Sequence, residues 1–244
     1  ESAKIAEKQK PDFIDINFGC PVKKIARRGA GAGMLCNVPL MVEMTKAIVD
    51  AVMVPVTVKT RLGWDENSKN IVEIAEQLQD VGIEALTIHG RTGAQQYKGN
   101  ADWKLIGEVK RNPRMRIPII GNGDIISPES AKDAFEKYGV DGVMIGRGIV
   151  GRPWLFRDIK YYLKTGEHLP SLSVTEKVEL ATLHFKKSLE VKGDIIGVLE
   201  MRRHFSNYFK GLDNFKETRL QLVTENNPAV IFSILDRIKE NWGN

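Results

Sequence analysis

Residues 13–20 read FIDINFGC, a short run rich in Ile and Phe that ends at a polar tip. We assign the strand to Phe13–Phe18, and four similar runs follow it: Val54–Thr60, Ala85–His89, Ile117–Ile120 and Gly142–Ile145. Helical patterns separate the runs, at Pro39–Val52, Ile71–Val81, Trp103–Lys110 and Pro128–Tyr138. Strands that alternate with helices predict βαβ units and a parallel sheet in an α/β fold.

The number of units leaves two alternatives for this sheet. A complete (β/α)₈ TIM barrel needs about 250 residues, or about 30 per unit, whereas residues 1–165 hold only five units. The sheet is therefore either an open doubly wound sheet or the C-terminal five units of a barrel whose first three units are missing. The chain starts at Glu1 rather than at Met, as expected of a fragment. The motifs described below favour the truncated barrel.

The sequence changes character after Thr165. Residues 166–173 include Gly166 and Pro170 and are typical of a linker. A capping box at Ser173 opens a helix that runs to about Glu190, and further helical patterns follow at Ile196–Lys210, Phe215–Thr224 and Pro228–Asn241. We therefore predict a catalytic domain at residues 1–168 and a small all-helical domain at residues 169–244.

The composition is that of a soluble globular protein. The chain has 244 residues, 42% hydrophobic and 27% charged, and no apolar run approaches the roughly 20 residues of a membrane span. It carries no signal peptide pattern, so Cys20 and Cys36 are expected to be reduced thiols in the cytoplasm. The formal net charge of +5 favours a polyanionic partner.

The first strand tip carries a candidate acid. In parallel barrels the catalytic groups lie at the carboxyl ends of the strands. Alternation along the strand places Asn17 on the face opposite Ile16, and Cys20 follows on the next loop. A thiol that is protonated near neutral pH can donate a proton as a general acid. The alternative is a buried structural cysteine next to an asparagine in a turn.

The next two strand tips carry cationic or polar side chains. Lys59 and Arg61 share one face of the second strand, and His89 and Arg91 have the same spacing at the third. Two cations at a barrel mouth suit an anionic ligand, such as a phosphate or a reduced flavin ring. Each residue alone could belong to a solvated strand end, but three successive polar tips indicate a site.

The last two tips are rich in glycine, with GNGD at residues 121–124 and GRG at residues 146–148. In barrels the loops after strands seven and eight often bind a phosphate through backbone N–H groups. We therefore predict a phosphate-bearing cofactor and no metal ion. The predicted cofactor residues in these loops are Asn122, Gly123, Asp124, Gly146 and Arg147, with Asp124 as a capping or orienting group because its charge repels phosphate.

Basic residues cluster in two further places. Lys23 and Lys24 follow the candidate acid, and Arg202, Arg203 and Lys210 lie among aromatic residues in the helical region. Basic residues interleaved with aromatics suit RNA, although a solvated helix face has the same pattern.

Together these motifs resemble the tRNA-dihydrouridine synthase family, most closely its bacterial B-type branch. The matching segments cover residues 12 to about 158 in the order and spacing of the family: DINFGCP (15–21), VKTR (58–61), HGRT (89–92), ADW (101–103), NGDI (122–125), MIGRG (144–148) and GRPW (151–154). The helical region is similar to the family's tRNA-binding domain more loosely. Gly93 stands where many relatives have Arg, and the family's first strand is absent.

The resemblance implies an FMN-containing barrel with a helical RNA-binding domain, which acts as a monomer on tRNA. NADPH would reduce the flavin, a hydride would pass from flavin N5 to uracil C6, and Cys20 would protonate C5. Lys59 and His89 would contact FMN, and the two glycine-rich loops would hold its phosphate. The substrate side would comprise Asn17, Arg61, Arg91, Lys23, Lys24, Arg202, Arg203 and Lys210.

Two other functions remain open at this point. One is a flavin barrel oxidoreductase with a small-molecule substrate, such as a dihydroorotate or dihydropyrimidine dehydrogenase, which would share the phosphate loops and the acid. The helical region and the basic residues beside Cys20 argue against it. The other is a truncated RNA-binding module without catalysis, against which a bound flavin would argue.

Overall fold

The computed structural model describes residues 1–243. The chain divides into two compact units, Glu1–Gly146 and the part from Arg147 onward. The first unit contains the strands β1 (Ile14–Asn17), β2 (Val56–Arg61), β3 (Ala85–His89), β4 (Ile119–Asn122) and β5 (Gly142–Met144). Its helices are α1 (Ser2–Glu7), α2 (Lys23–Ala26), α3 (Val38–Val49), α4 (Ile71–Asp80), α5 (Lys104–Arg111) and α6 (Pro128–Tyr138).

The five strands form one parallel sheet in the order β1-β2-β3-β4-β5. The predicted α/β fold with a parallel sheet is confirmed. Each strand pairs with the next one along the chain, so the order does not reverse within the described strands. A doubly wound sheet reverses its strand order at a switch point, and this sheet therefore lacks that feature.

Two strands start two residues later than the apolar runs predict, and proline is the reason in both cases. β2 begins at Val56 and β4 at Ile119, directly after Pro55 and Pro118. Proline has no N–H to donate to a neighbouring strand. Its carbonyl still accepts: Pro55 O bonds Ile14 N at 2.9 Å, and Pro118 O bonds Leu86 N at 3.0 Å.

The register separates an apolar face of the sheet from a polar one. The partners Ile16, Val58, Leu86 and Ile119 form an apolar row, and the last three are fully buried. The helices α4 and α5 bury apolar stripes such as Ile71, Ile74, Leu78, Ile106 and Val109. The adjacent row, Asn17, Lys59 and Thr87, is polar and belongs to the opposite face.

Helix α6 shows how local sequence fixes an element. Ser127 accepts a bond from Ser130 N and forms a capping box, with Pro128 in the first turn. Gly139 ends the helix in the left-handed region with φ 71°, a conformation that glycine adopts without steric cost.

The second unit is helical. It contains a short 3₁₀ turn at Arg147–Ile149 and the helices α7 (Leu155–Thr165), α8 (Val174–Tyr208), α9 (Lys216–Thr224) and α10 (Pro228–Trp242). Gly193, with φ 73°, interrupts α8 and so separates the two helices that the sequence predicts there. The core includes Phe185, Phe205, Tyr208, Leu222 and Ile234. The functional domain boundary at 168/169 stays a prediction. Among residues 1–243, no helix combines the length and apolarity that a membrane span requires.

Candidate active site

Polar side chains from neighbouring strands converge at the carboxyl edge of the sheet. Arg61, His89 and Asn122 are register partners at the ends of β2, β3 and β4. One step back, Asn17 pairs with Lys59 across β1 and β2. Because register partners project from the same face of a parallel sheet, the strand-tip residues singled out in the sequence share one face.

The loop after β1 holds Cys20 through its backbone. Asn17 Oδ1 accepts a bond from Gly19 N at 2.9 Å, and Ala32 N donates to Cys20 O at 2.9 Å. Gly31 has φ 54°, and a Cβ there would lie 2.8 Å from Cys20 O, so only glycine fits this close approach. Cys20 is half-buried and Cys36 is exposed, and both are free thiols.

Lys59 is a partly desolvated cation. Burial lowers the pKa of Lys59, the charge of Arg61 lowers it further, and Asp15 opposes both. The Asp15 carboxylate itself accepts a bond from Thr57 Oγ1 at 2.8 Å. Within residues 1–243 no hydrogen bond reaches the Lys59 ammonium group, and such a cation suits an anionic ligand.

Arg61 is buried, with only 2% of the residue exposed. Its Nε donates to Gly19 O at 2.7 Å, and its Nη1 donates to Thr92 O at 2.9 Å and to Gln96 O at 2.8 Å. The guanidinium carbon lies 5.7 Å from the centre of the Tyr97 ring. Burial lowers the pKa of Arg61 to about 10, so the side chain remains cationic at neutral pH.

Arg91 is equally buried and forms an ion pair. Its Nη2 lies 2.7 Å from Asp124 Oδ2, and its Nε donates to Lys98 O at 3.1 Å. The same carboxylate oxygen accepts a bond from Ala101 N at 2.8 Å. Asp124 therefore holds Arg91 and the backbone of the loop after β3.

His89 is neutral near pH 7. It is 6% exposed, and burial, together with the charges of Arg61, Lys59 and Arg91, lowers its pKa to about 3. Its Nε2 lies 3.5 Å from Arg91 Nη1. Because a guanidinium group only donates, Nε2 is the acceptor and the ring proton resides on Nδ1.

The glycines at the end of β4 accommodate Trp103. The indole Nε1 donates to Gly123 O at 3.0 Å, and a Cβ at Gly121 would lie 2.1 Å from the indole ring. Asn122 Nδ2 donates to Met144 O at 2.7 Å, which ties β4 to β5. No role for Trp103 was predicted from the sequence, although the residue lies in one of the motifs that match the family.

Gly146 and Arg147 end one unit and begin the other. Both residues are exposed, and a Cβ at Gly146 would meet nothing within 4 Å. Tyr97 is a further residue of this site that was not predicted from the sequence. It is 55% exposed, and the Gly-rich stretch around it was the only available signal.

The basic residues outside the sheet differ in their hydrogen bonding and in their exposure. Arg202 Nη2 donates to Thr224 O at 3.2 Å, to Glu225 O at 3.4 Å and to Asn226 Oδ1 at 2.7 Å, so it caps the end of α9. Among the basic residues outside the sheet that were predicted to contact tRNA, Lys23, Lys24, Arg203 and Lys210 are exposed. The described residues contain no group of three or more His, Cys, Asp or Glu side chains that could hold a metal ion.

Comparison with known proteins identifies the family. A family model described as "Dihydrouridine synthase (Dus)" matches residues 1–239. A "Probable tRNA-dihydrouridine synthase" of Rickettsia conorii is 41% identical over 231 residues, which are 95% of this chain and 69% of the relative. A "Probable tRNA-dihydrouridine synthase 1" of Synechocystis sp. is 43% identical, and the match covers 97% of this chain and 66% of the relative.

The "tRNA-dihydrouridine synthase B" of Pseudomonas putida is 44% identical over 207 residues, 85% of this chain and 61% of the relative. The family match extends through both compact units and includes every strand tip described above. The chain belongs to the dihydrouridine synthase family.

Proposed function

We propose that this protein reduces uridines in tRNA to 5,6-dihydrouridine. The observation that carries the proposal is the convergence of Asn17, Lys59 and His89 at one edge of the sheet, with Cys20 on the loop directly after β1, in a chain of the dihydrouridine synthase family. The relatives named above are described as acting on tRNA, and the net charge of +5 suits that polyanion.

The residues fit FMN as the cofactor. The Lys59 ammonium group has no hydrogen-bond partner among residues 1–243, and the space around Gly146 is open. Lys59 and His89 would hold the flavin ring, and its phosphate would bind at Asn122, Gly123, Gly146 and Arg147, with Asp124 as the orienting group that holds Arg91. When bound and reduced by NADPH, FMN supplies the hydride.

The protein's own side chains orient the uracil and supply the proton. Because Asn17 Oδ1 already accepts the Gly19 N–H, its Nδ2 group remains available to donate to a uracil carbonyl oxygen. Cys20 Sγ donates its proton to C5 as a general acid. His89, neutral through burial, donates through Nδ1–H without adding a charge.

The finer architecture is part of the same proposal. Five βα units of a (β/α)₈ barrel fit the sequential strand order β1 to β5. The helices from α7 onward would form the tRNA-binding part, with Arg203 and Lys210 reaching phosphates there and Lys23 and Lys24 beside the acid. A cytoplasmic, monomeric enzyme remains the expectation from the sequence.

The test uses the purified chain with an unmodified tRNA transcript and NADPH. We expect a bound flavin that NADPH bleaches and that tRNA re-oxidises, with dihydrouridine detected in the recovered tRNA. Orotate and free uracil serve as small-molecule controls. Turnover of a free pyrimidine without any tRNA product would instead select the small-molecule oxidoreductase.

A third result would select the module without catalysis. In that case the chain binds tRNA but retains no flavin and forms no dihydrouridine, even when FMN is added in excess. The flavin absorbance of the purified protein therefore decides between catalysis and binding before any turnover is measured.

A further inference from the structure

We propose that Arg61 is a positioning residue for Cys20, which fixes the loop that carries the thiol instead of contacting the substrate itself. The inference rests on the proposed function only for its consequence in catalysis. The positioning itself is a property of the protein alone and can be measured without substrate.

The loop after β1 carries Gly19 and Cys20, and we call it the thiol loop. Three hydrogen bonds anchor it. Asn17 Oδ1 accepts from Gly19 N at 2.9 Å, Arg61 Nε donates to Gly19 O at 2.7 Å, and Ala32 N donates to Cys20 O at 2.9 Å. Of these anchors, only Arg61 lies on a neighbouring strand. It therefore sets the position of the thiol relative to the rest of the sheet edge.

The other end of the guanidinium group is anchored as well. Nη1 donates to both Thr92 O and Gln96 O, in the loop after β3, and Tyr97 covers the group at 5.7 Å. The residue is only 2% exposed, which leaves almost no surface for a substrate. One buried cation thus joins the loops that follow β1 and β3.

The charge of Arg61 also matches the chemistry of its neighbour. Burial is the dominant influence on the pKa of Arg61, but Tyr97 and Cys20 act in the opposite direction and raise it. The guanidinium group therefore lies within electrostatic reach of the sulfur. When Cys20 transfers its proton, the sulfur becomes negative, and a buried positive charge beside it is stabilising.

Arg91 offers a matched control inside the same site. It is 2% exposed like Arg61 and likewise donates to loop carbonyls, at Lys98 O and Gly99 O. Its ion pair is with Asp124, and none of its bonds reaches residues 17–20. Replacing Arg91 perturbs a buried cation without removing an anchor of the thiol loop.

The experiment compares the alkylation rates of the two thiols in one protein. With iodoacetamide as the probe, we expect Arg61→Lys to change the rate of Cys20 severalfold and to leave the exposed Cys36 unchanged. Arg91→Lys should leave the ratio of the two rates as in the parent protein. An unaltered ratio in Arg61→Lys would overturn the proposal, whether or not the protein makes dihydrouridine.

Kinetics separate positioning from direct substrate contact. At saturating tRNA, Arg61→Lys should slow single-turnover reduction by about 10- to 100-fold, with KM for tRNA and flavin content within about twofold of the parent. In Arg61→Ala, added guanidinium ion should restore part of the rate. A raised KM with a normal single-turnover rate would show direct contact with the RNA and refute positioning.

Discussion

Three basic side chains at the strand tips have lowered pKa values, which means that their charged forms are destabilised. An anionic ligand would stabilise those charged forms. Burial lowers the pKa of Lys59, Arg61 and His89 together, and each positive charge adds to the effect on its neighbours. A fold that keeps cations close together in a partly buried place loses stability there. Such costs concentrate at functional sites, and they agree with a flavin phosphate or a reduced flavin at this edge.

The burial of His89 makes the stability of the fold depend on pH. Its pKa falls from 6.5 to about 3 on folding, so between these values the unfolded chain binds more protons than the folded one. The free energy of unfolding therefore decreases as the pH drops through this window. Between pH 7 and pH 5 we expect His89 to account for a loss on the order of 1 to 2 kcal/mol.

Urea unfolding of the parent and of His89→Gln at the two pH values measures this loss. The glutamine variant lacks the titrating group, so its stability should fall less between pH 7 and pH 5. An NMR titration of the His89 ring is the direct check, and a midpoint near 6.5 in the folded protein would contradict the burial argument.

Cys20 and Cys36 provide an internal comparison for the proton donor. Cys20→Ala should keep flavin and tRNA binding but lose about 10²- to 10⁴-fold in dihydrouridine formation, because general acid catalysis contributes on that scale. Single-turnover reduction of bound tRNA is the measurement. Cys36→Ala, at an exposed site away from the strand tips, is the control, and normal reduction by Cys20→Ala would exclude the acid role.

At the scale of elements, the sequence predicts what depends on apolar periodicity and on capping. All five strands and the helices with a clear start, such as α6 after Ser127 and α8 after Ser173, follow from these signals. The helix α7 was not predicted, because its N-cap is Trp154 without a side-chain cap. The four-residue helix α2 begins after Val22 and also lacks a capping side chain.

The sequence predicts which side chains of the site share a face, but not the hydrogen bonds that they form. The alternation along β1, β2 and β3 predicts that Asn17, Lys59 and His89 share a face, and the register agrees. The partners of Arg61 and Arg91 are mostly backbone carbonyls of loops, which are distant in sequence for Arg61 and seven or eight residues away for Arg91. Because a backbone carbonyl has the same chemistry at every residue, no pattern of side chains in the sequence predicts such a bond.

The end of β4 tests whether its glycine is structural. A Cβ at Gly121 would lie 2.1 Å from the Trp103 ring, so Gly121→Ala should displace the indole and break its bond to Gly123 O. Overpacking of this kind costs about 1–3 kcal/mol. Gly142→Ala on β5 is the matched control, since its Cβ would lie 3.6 Å from Ile120, at ordinary contact distance. Equal unfolding midpoints for the two variants would contradict this account.

At the scale of the whole molecule, each compact unit contributes a different chemistry to the proposed reaction. In the proposed reaction the sheet unit would supply the acid and most of the cofactor residues. The helical unit, which begins at Arg147, would supply that cofactor residue and exposed cations around a separate hydrophobic core. Arg202 was predicted to bind RNA together with Arg203 and Lys210. Its Nη2 group is bonded to the end of α9, so we now assign the phosphate contacts to the other two.

This assignment predicts the salt dependence of tRNA binding. Each neutralised phosphate adds about −0.7 to −0.9 to the slope of log K against log salt, so Arg203→Ala with Lys210→Ala should flatten the slope by about one to two units. The control pair is Lys187→Ala with Lys239→Ala, because these lysines are bonded to Glu190 and Glu179. Both double variants remove the same charge from the formal +5, so a general field effect would flatten both slopes equally. A larger change in the first pair alone would show direct contact, because counterion release follows the phosphates that are neutralised rather than the net charge of the protein.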